Sequence, residues 1–206
     1  MESDEPDESG ESGVNPTKDA EEEYERYRRE LGEYNPKTLE SLNNLALLFD
    51  SKGEYDRALP LLKSVLRRRM RVLGDDHPDT LASLNNLGAL FFNNDDYDHA
   101  IPMFQACLAR NRRVLGKDHP DTLASLNTLG VVLKNKGDYN LALPMFEDCL
   151  ERRKRVLGDD HPDTLISLNN LAGLKRKNDG ELASEEPNSR GGTKKRDTLE
   201  RVRNLS

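Results

Sequence analysis

The chain has 206 residues, of which 33% are charged, and its formal net charge is −7. A negative charge of this size disfavours binding to nucleic acid or to an anionic membrane surface. The sequence contains no run of about 18 apolar residues, and it begins with acidic residues where a secretory signal would be basic and then apolar. We therefore expect a soluble, cytoplasmic protein.

One segment, His-Pro-Asp-Thr-Leu-Ala-Ser-Leu-Asn-Asn-Leu at 77–87, returns almost unchanged at 119–129 and 161–171 and in weaker form at 35–45. The prolines of these copies stand at 36, 78, 120 and 162, a constant interval of 42 residues. A fixed period of this size is typical of repeat proteins, whose units pack mainly on their neighbours. The sequence therefore predicts a linear array.

The first residues of the chain do not fit the repeat. Residues 1–16 contain almost no apolar side chains, so we expect a disordered acidic tail. From about Lys18 the pattern becomes helical, and when it is shifted by the repeat length it matches the second half of a unit. We therefore predict an array over 17–178, made of a half repeat at 17–34, repeats at 35–76, 77–118 and 119–160, and a partial repeat at 161–178.

Each full repeat is predicted to form two helices. The first begins at its proline, which suits the first helical position, and has apolar residues at three- and four-residue spacing, such as Leu81, Leu84 and Phe91. The second is predicted to begin near residues 56, 98 and 140, so that the prolines at 60, 102 and 144 lie in its first turn. The turn between the two helices is marked by Gly53, Asp95 and Gly137.

The repeat pattern fails in the last part of the chain. Residues 179–206 have the composition of a linker and are expected to be largely disordered. Within them, Leu199, Val202 and Leu205 have helical spacing, which suggests a short helix that caps the open end of the array. The alternative is that the chain is a truncated piece of a longer array.

The recurring His77, His119 and His161 raise the question of a metal site. Neighbouring repeats lie about 10 Å apart, which is too far for one zinc ion to bridge, and the matching position 35 is Asn. Since Asn is a good helix N-cap, we interpret this position as a cap. We predict no metal, no cofactor and no enzyme activity, because no catalytic combination of residues is present.

The two cysteines also occupy equivalent repeat positions. Cys107 and Cys149 are 42 residues apart, so the repeat itself accounts for both. We interpret them as small buried residues in a reducing compartment, and not as a disulfide or a metal site.

The second repeat resembles the tetratricopeptide repeat. The residues that match the packing positions of that family are Leu84, Leu87, Gly88, Phe91, Tyr97, Ala100, Phe104 and Cys107. The usual period of that family is about 34 residues. The longer period, the Leu-Asn-Asn-Leu run and the Leu-Gly-Lys-Asp-His-Pro-Asp linker at 115–121 resemble the kinesin light chain type. This resemblance implies an all-α, right-handed solenoid of antiparallel helix hairpins that acts as a protein-binding adaptor or scaffold.

The resemblance also implies that one asparagine per unit faces a concave groove in which an extended partner peptide lies. An amide offers two donors and an acceptor, which suits a peptide backbone. The alternative is that these amides bond within the array and hold the repeats in register. The predicted groove residues are Asn43, Asn85, Asn127, Asn169, Asn93, Lys134, Asn135 and Arg176.

The groove residues become more basic toward the C-terminal end, so we expect a protein or peptide partner with an acidic, extended segment and an apolar anchor. Kinesin heavy chain is not expected as a partner, because no sustained heptad of a coiled coil precedes the repeats. Two alternatives stay open. The chain is a regulatory or sensor segment of a larger signalling protein or enzyme, or it is a truncated array without its own ligand.

Overall fold

A computed structural model of the protein describes residues 15–184, with side chains as far as 177. This part of the chain is entirely helical outside its loops and consists of α1 (Pro16–Leu31), α2 (Pro36–Ser51), α3 (Tyr55–Leu73), α4 (Pro78–Asn93), α5 (Tyr97–Leu115), α6 (Pro120–Lys136), α7 (Tyr139–Leu157) and α8 (Pro162–Ser184). Each helix packs on the helices before and after it. The predicted all-α solenoid of helix hairpins is therefore confirmed.

We call α2, α4, α6 and α8 the first helices, and α1, α3, α5 and α7 the second helices. The first helices lie side by side, and α2 touches α4 as α6 touches α8. The approach of α4 to α6 is looser than either of these. The first helices are therefore less closely connected between α4 and α6 than at their other two joints.

The second helices start one residue earlier than predicted, at Tyr55, Tyr97 and Tyr139. Their prolines at 60, 102 and 144 consequently lie inside the helix, in the second turn and not in the first. A proline there removes one backbone hydrogen bond. All three prolines are exposed, so water can satisfy the carbonyl group that is left without a partner.

The two ends of the array also differ from the predicted boundaries. Helix α1 begins at Pro16 and is capped by Asn15, whose Oδ1 accepts from the N–H of Thr17 at 3.2 Å. Residues 1–14, the rest of the predicted acidic tail, lie outside the described residues. At the other end α8 continues to Ser184, beyond the predicted limit of 178. The segment with Leu199, Val202 and Leu205 also lies outside the described residues.

The first helices begin with the predicted cap. In His77 the ring Nδ1 accepts a hydrogen bond from the N–H of Asp79 at 3.2 Å, and His119 and His161 repeat this contact. Asn35 performs the same role with its Oδ1, at 3.0 Å from the N–H of Lys37. The interpretation of these residues as caps is therefore confirmed. In the described part of the chain no group of three or more His, Cys, Asp or Glu is placed to hold a metal ion.

The predicted turn residues between the two helices of a unit all have left-handed backbone conformations. Gly53, Asp95 and Gly137 have φ values of 73°, 57° and 92°. A positive φ costs glycine little, and aspartate tolerates it better than most residues. These three positions therefore confirm the predicted end of each first helix.

The interior of the array is formed where each first helix packs against the second helix of its own unit. Leu81 and Leu84 contact Cys107 of α5, and an added Cβ on Gly130 would lie 2.8 Å from Phe146. Both cysteines are free and buried, as predicted. Burial raises the pKa of both thiols, so they remain neutral packing groups.

Arginines on the second helices join each unit at its outer surface. Arg110 of α5 reaches the carboxylate of Asp75 in the loop before α4, at 3.4 Å, and Arg113 pairs with Asp76. In the next unit Arg152 pairs with Asp118 at 2.9 Å, and this hydrogen bond lowers the pKa of Asp118. The aspartates of these pairs are exposed, so each pair contributes little to stability. Together the pairs show which loop each second helix reaches.

The contact between Gly130 and Phe146 gives a first prediction. The substitution Gly130→Ala should lower the free energy of unfolding by about 1 kcal/mol or more, because overpacking costs about 1–3 kcal/mol and exceeds the gain in helix propensity. Gly173→Ala is the matched control, since nothing lies within 4 Å of its added Cβ. Urea unfolding followed by circular dichroism should show a lower midpoint for the first variant only.

Candidate functional site

Two of the predicted groove asparagines are used within the array. Asn43 is only 8% exposed, and its Oδ1 accepts from the Nδ2 of Asn86 at 3.0 Å. Asn127 accepts in the same way from Asn170, also at 3.0 Å. These amide pairs connect α2 with α4 and α6 with α8. We call them the amide rungs.

The equivalent rung between α4 and α6 is missing. The residue that should donate to Asn85 is Thr128, and its hydroxyl donates instead to the carbonyl of Ala124 at 3.0 Å. Asn85 is half-buried and receives no amide from α6. Helices α4 and α6 therefore lack the amide hydrogen bond that connects α2 with α4 and α6 with α8.

A second departure from the repeat lies at the same joint. Arg69 of α3 is buried and donates to the carbonyl of Asp79 at 3.0 Å and to Ser83 at 2.9 Å, at the start of α4. Arg153 makes the equivalent contacts with α8. The position between them is Asn111, whose Nδ2 donates to Ser125 at 2.9 Å and to the sulfur of Cys107 in its own helix at 3.8 Å. The shorter side chain leaves space beside α6 that an arginine would fill.

These departures produce a cleft between α4 and α6 with a floor from α5, which we call the α4–α6 crevice. Its volume is about 640 Å³, within the range of about 300–1,000 Å³ that is common for ligand pockets. The apolar lining comes from Leu81, Ala82, Ala89, Phe92, Phe104, Val114, Ala124, Val131 and Val132. Asn85, Asn111 and Thr128 supply polar groups, and the carboxylates of Asp76 and Asp121 stand at its edge.

The remaining predicted residues surround this cleft or extend beyond it. Asn93 donates to Asp50 at 3.2 Å, and Asn135 donates to the carbonyl of Val131 at 2.8 Å. Asn169 and Arg176 are exposed on α8, and Lys134 is half-buried on α6. No described side chain forms an ion pair with Lys134 or Arg176, so both cations are available to an acidic partner.

Sequence reasoning did not identify Asn111 as a site residue. The signal was present, because Asn111 stands where the neighbouring units have Arg69 and Arg153. Thr128 interrupts the second asparagine series in the following unit. Only the structure shows that these two departures meet at one cleft.

Comparisons with known proteins agree with this architecture. The tetratricopeptide repeat model matches residues 18–71, 52–110, 82–154 and 127–184. These overlapping matches cover most of the sequence, and the chain belongs to the tetratricopeptide repeat family. No curated protein sequence matches the chain.

Solved structures that resemble the array include two kinesin-light-chain-like proteins. A putative kinesin light chain with nearly identical TPR-like repeats from Podosopora anserina has a TM-score of 0.71 and 23% identity, over 92% of this chain and 84% of that chain. BtubC (BKLC) from P. vanneervenii has a TM-score of 0.67 and 20% identity, over 87% of this chain and 80% of that chain. At these identities the likeness concerns the fold. Within residues 15–184 no helix has the length and apolar character needed to cross a membrane.

The amide rungs give a second prediction. Asn86→Ala should lower the free energy of unfolding by about 1–3 kcal/mol, because it leaves the buried Oδ1 of Asn43 without a donor. Asn44→Ala, at an exposed neighbouring position, is the control and should have little effect. Equal unfolding midpoints for the two variants would contradict a structural role for the rung.

The missing rung gives the opposite prediction. Thr128→Asn should place an amide beside Asn85 and raise the free energy of unfolding by about 0.5–1.5 kcal/mol, the usual contribution of one hydrogen bond. The same urea titration measures this change. A lower midpoint would show that the joint between α4 and α6 cannot accept the rung that its neighbours have.

Proposed function

We propose that this protein is a non-enzymatic scaffold, similar to a kinesin light chain adaptor, which holds an extended segment of a partner protein in the concave groove along its first helices. The α4–α6 crevice is the observation that supports this most. A repeat that followed its neighbours would fill this space with arginine and an amide rung. Here two substitutions leave an apolar cleft open between helices that are otherwise regularly packed.

The chemistry around the crevice indicates a partner with an apolar anchor beside acidic residues. Lys134 follows the crevice residue Val131 by about one helical turn, or about 4.5 Å along the axis. An extended peptide advances about 3.3 Å per residue, so an acid one or two positions from the anchor reaches Lys134. The exposed carboxylate of Asp121, which also lines the crevice, repels acids there and so favours one direction of binding.

Amide groups in the groove are suited to the partner's backbone. Asn127 uses its Oδ1 in an amide rung, so its Nδ2 can donate to a peptide carbonyl group. Asn169 is exposed on the next first helix and offers both donors and an acceptor. These contacts do not depend on the partner's side chains. The crevice and Lys134 instead select partners by their side chains.

We also propose that the protein acts in the cytoplasm. Both cysteines are free and buried in the packed interior, an arrangement that suits a reducing compartment.

The proposed function can be tested with peptides selected from a random 12-residue display library on the full chain. We expect enriched peptides to carry a large apolar residue next to Asp or Glu. In fluorescence anisotropy, Asn111→Arg should weaken binding at least tenfold, because the arginine fills the crevice. The same variant should keep or raise the unfolding midpoint, since Arg69 and Arg153 show that this position accepts arginine.

The double variant Asn85→Ala with Asn127→Ala should also weaken binding, because it removes amides from the groove. Gln105→Ala, at an exposed position of α5, is the matched control and should bind like the original chain. If the selected peptides bind all of these variants equally, the concave groove is not the binding site and the proposal fails.

A further inference from the structure

The last first helix has an apolar face that the described residues do not cover. Leu165 and Leu168 of α8 are 45% and 44% exposed, and Ala172 is exposed on the same face. The equivalent leucines of α4 and α6 are at least 92% buried, because the second helix of their own unit packs on them. We call the surface formed by Leu165, Leu168 and Ala172 the α8 end face.

In the three complete units, the equivalent face of the first helix is covered by the second helix, which is α3, α5 or α7. In each complete unit the second helix places apolar residues on these positions and then ends in two arginines three residues apart. The first arginine of α3 pairs with Glu33 at 2.9 Å, and the arginines of α5 pair with Asp75 and Asp76. The covering element is therefore an amphipathic helix with a basic end.

The charges required for such a helix are also present beside α8. Asp159 and Asp160 occupy the same loop positions as Asp75 and Asp76, and all of the carboxylates in this pair of loops are exposed. Among the described residues, Asp159 forms an ion pair with Lys154 of the helix before it, at 2.9 Å, and with no other side chain. Asp160 has no ion pair with any described residue. The loop before α8 therefore carries carboxylates equivalent to those that pair with arginines of the second helix in another unit. No described arginine pairs with Asp159 or Asp160.

The residue at position 172 narrows the choice of helix further. In α4 and α6 this position is glycine, and the opposing residue is phenylalanine; a Cβ on Gly88 would lie 3.1 Å from Phe104. In α2 the position is Ala46, and the opposing residue is the smaller Leu62, both fully buried. Because α8 has Ala172, its covering helix should carry leucine at this contact, as α3 does.

We propose that the α8 end face binds a helix of another polypeptide with the chemistry of α3: leucine opposite Ala172, an apolar residue three positions later, and two arginines that reach Asp159 and Asp160. This interaction surface is separate from the concave groove. It does not depend on the proposed function, because it uses the end of the array and different residues.

The test uses the full chain and a fluorescent synthetic peptide with the sequence of α3, Tyr55–Leu73, followed by anisotropy. We expect saturable binding that Leu165→Asp weakens at least tenfold. This leucine is exposed, so circular dichroism should show an unchanged fold. Gln105→Ala is the matched control and should not change the affinity.

Two exchanges examine the contacts that define the face. The peptide with Leu62→Phe should bind at least fivefold more weakly, and Ala172→Gly in the full chain should restore its affinity. The peptide with Arg68→Glu and Arg71→Glu should lose binding, and Asp159→Lys with Asp160→Lys should restore it. The absence of both restorations would overturn the proposal, because the peptide would then bind elsewhere on the array.

Two further outcomes assign the face to a different occupant and also overturn the proposal. Peptide binding that appears only after Leu199→Glu with Val202→Glu would mean that the chain's own C-terminal segment occupies the face. Dimerisation of the unlabelled chain in light scattering, abolished by Leu165→Asp, would mean that a second copy does. A monomer that binds the peptide without these changes supports a partner helix.

Discussion

The architecture depends on the packing of each first helix against the second helix of its own unit. This contact is repeated along the chain, so apolar residues are buried pair by pair and no central core is required. The fit is close enough that residue sizes vary together. Glycine in α6 faces Phe146, whereas Ala46 in α2 faces Leu62. Such matched pairs fix the distance between neighbouring helices and leave little freedom for the surface along the first helices.

Polar contacts between units reinforce this fixed geometry. The buried arginines Arg69 and Arg153 bind the start of the following first helix, and burial lowers the pKa of Arg69, which shows the cost of placing its charge there. Threonine hydroxyls close the loops, as when Thr80 donates to the carbonyl of Gly74 at 2.8 Å. Against so regular a frame, a missing arginine and a missing rung at one joint have a local effect. They open the α4–α6 crevice without disturbing the helices beside it.

The helices and their order could be predicted because the proline, the cap residue before it (Asn35 or a histidine) and the leucine spacing are local signals that recur four times. The second helices were placed within one residue for the same reason. Which of the four equivalent asparagines bonds within the array was not predictable in this way. Their equal spacing places all four on the same face of their helices and does not distinguish them. Asn43 is buried by Asn86 of the next unit, whereas Asn85 meets Thr128 instead. The crevice was also hidden, since it depends on residues from three helices that meet only in the folded array.

Helix α8 contributes residues to both of the proposed binding surfaces, the groove and the α8 end face. In a repeat array stability comes from neighbours, and α8 packs on α7 and α6 but has no second helix of its own among the described residues. It nevertheless carries Asn169 and Arg176, which we propose for the groove, on the same helix as Leu165 and Leu168 of the end face. A helix that covers the end face removes apolar surface from water and restrains α8. Because binding free energies are reciprocal, an occupied end face would then favour a groove partner that uses Arg176, and that partner would favour the end-face helix to the same extent.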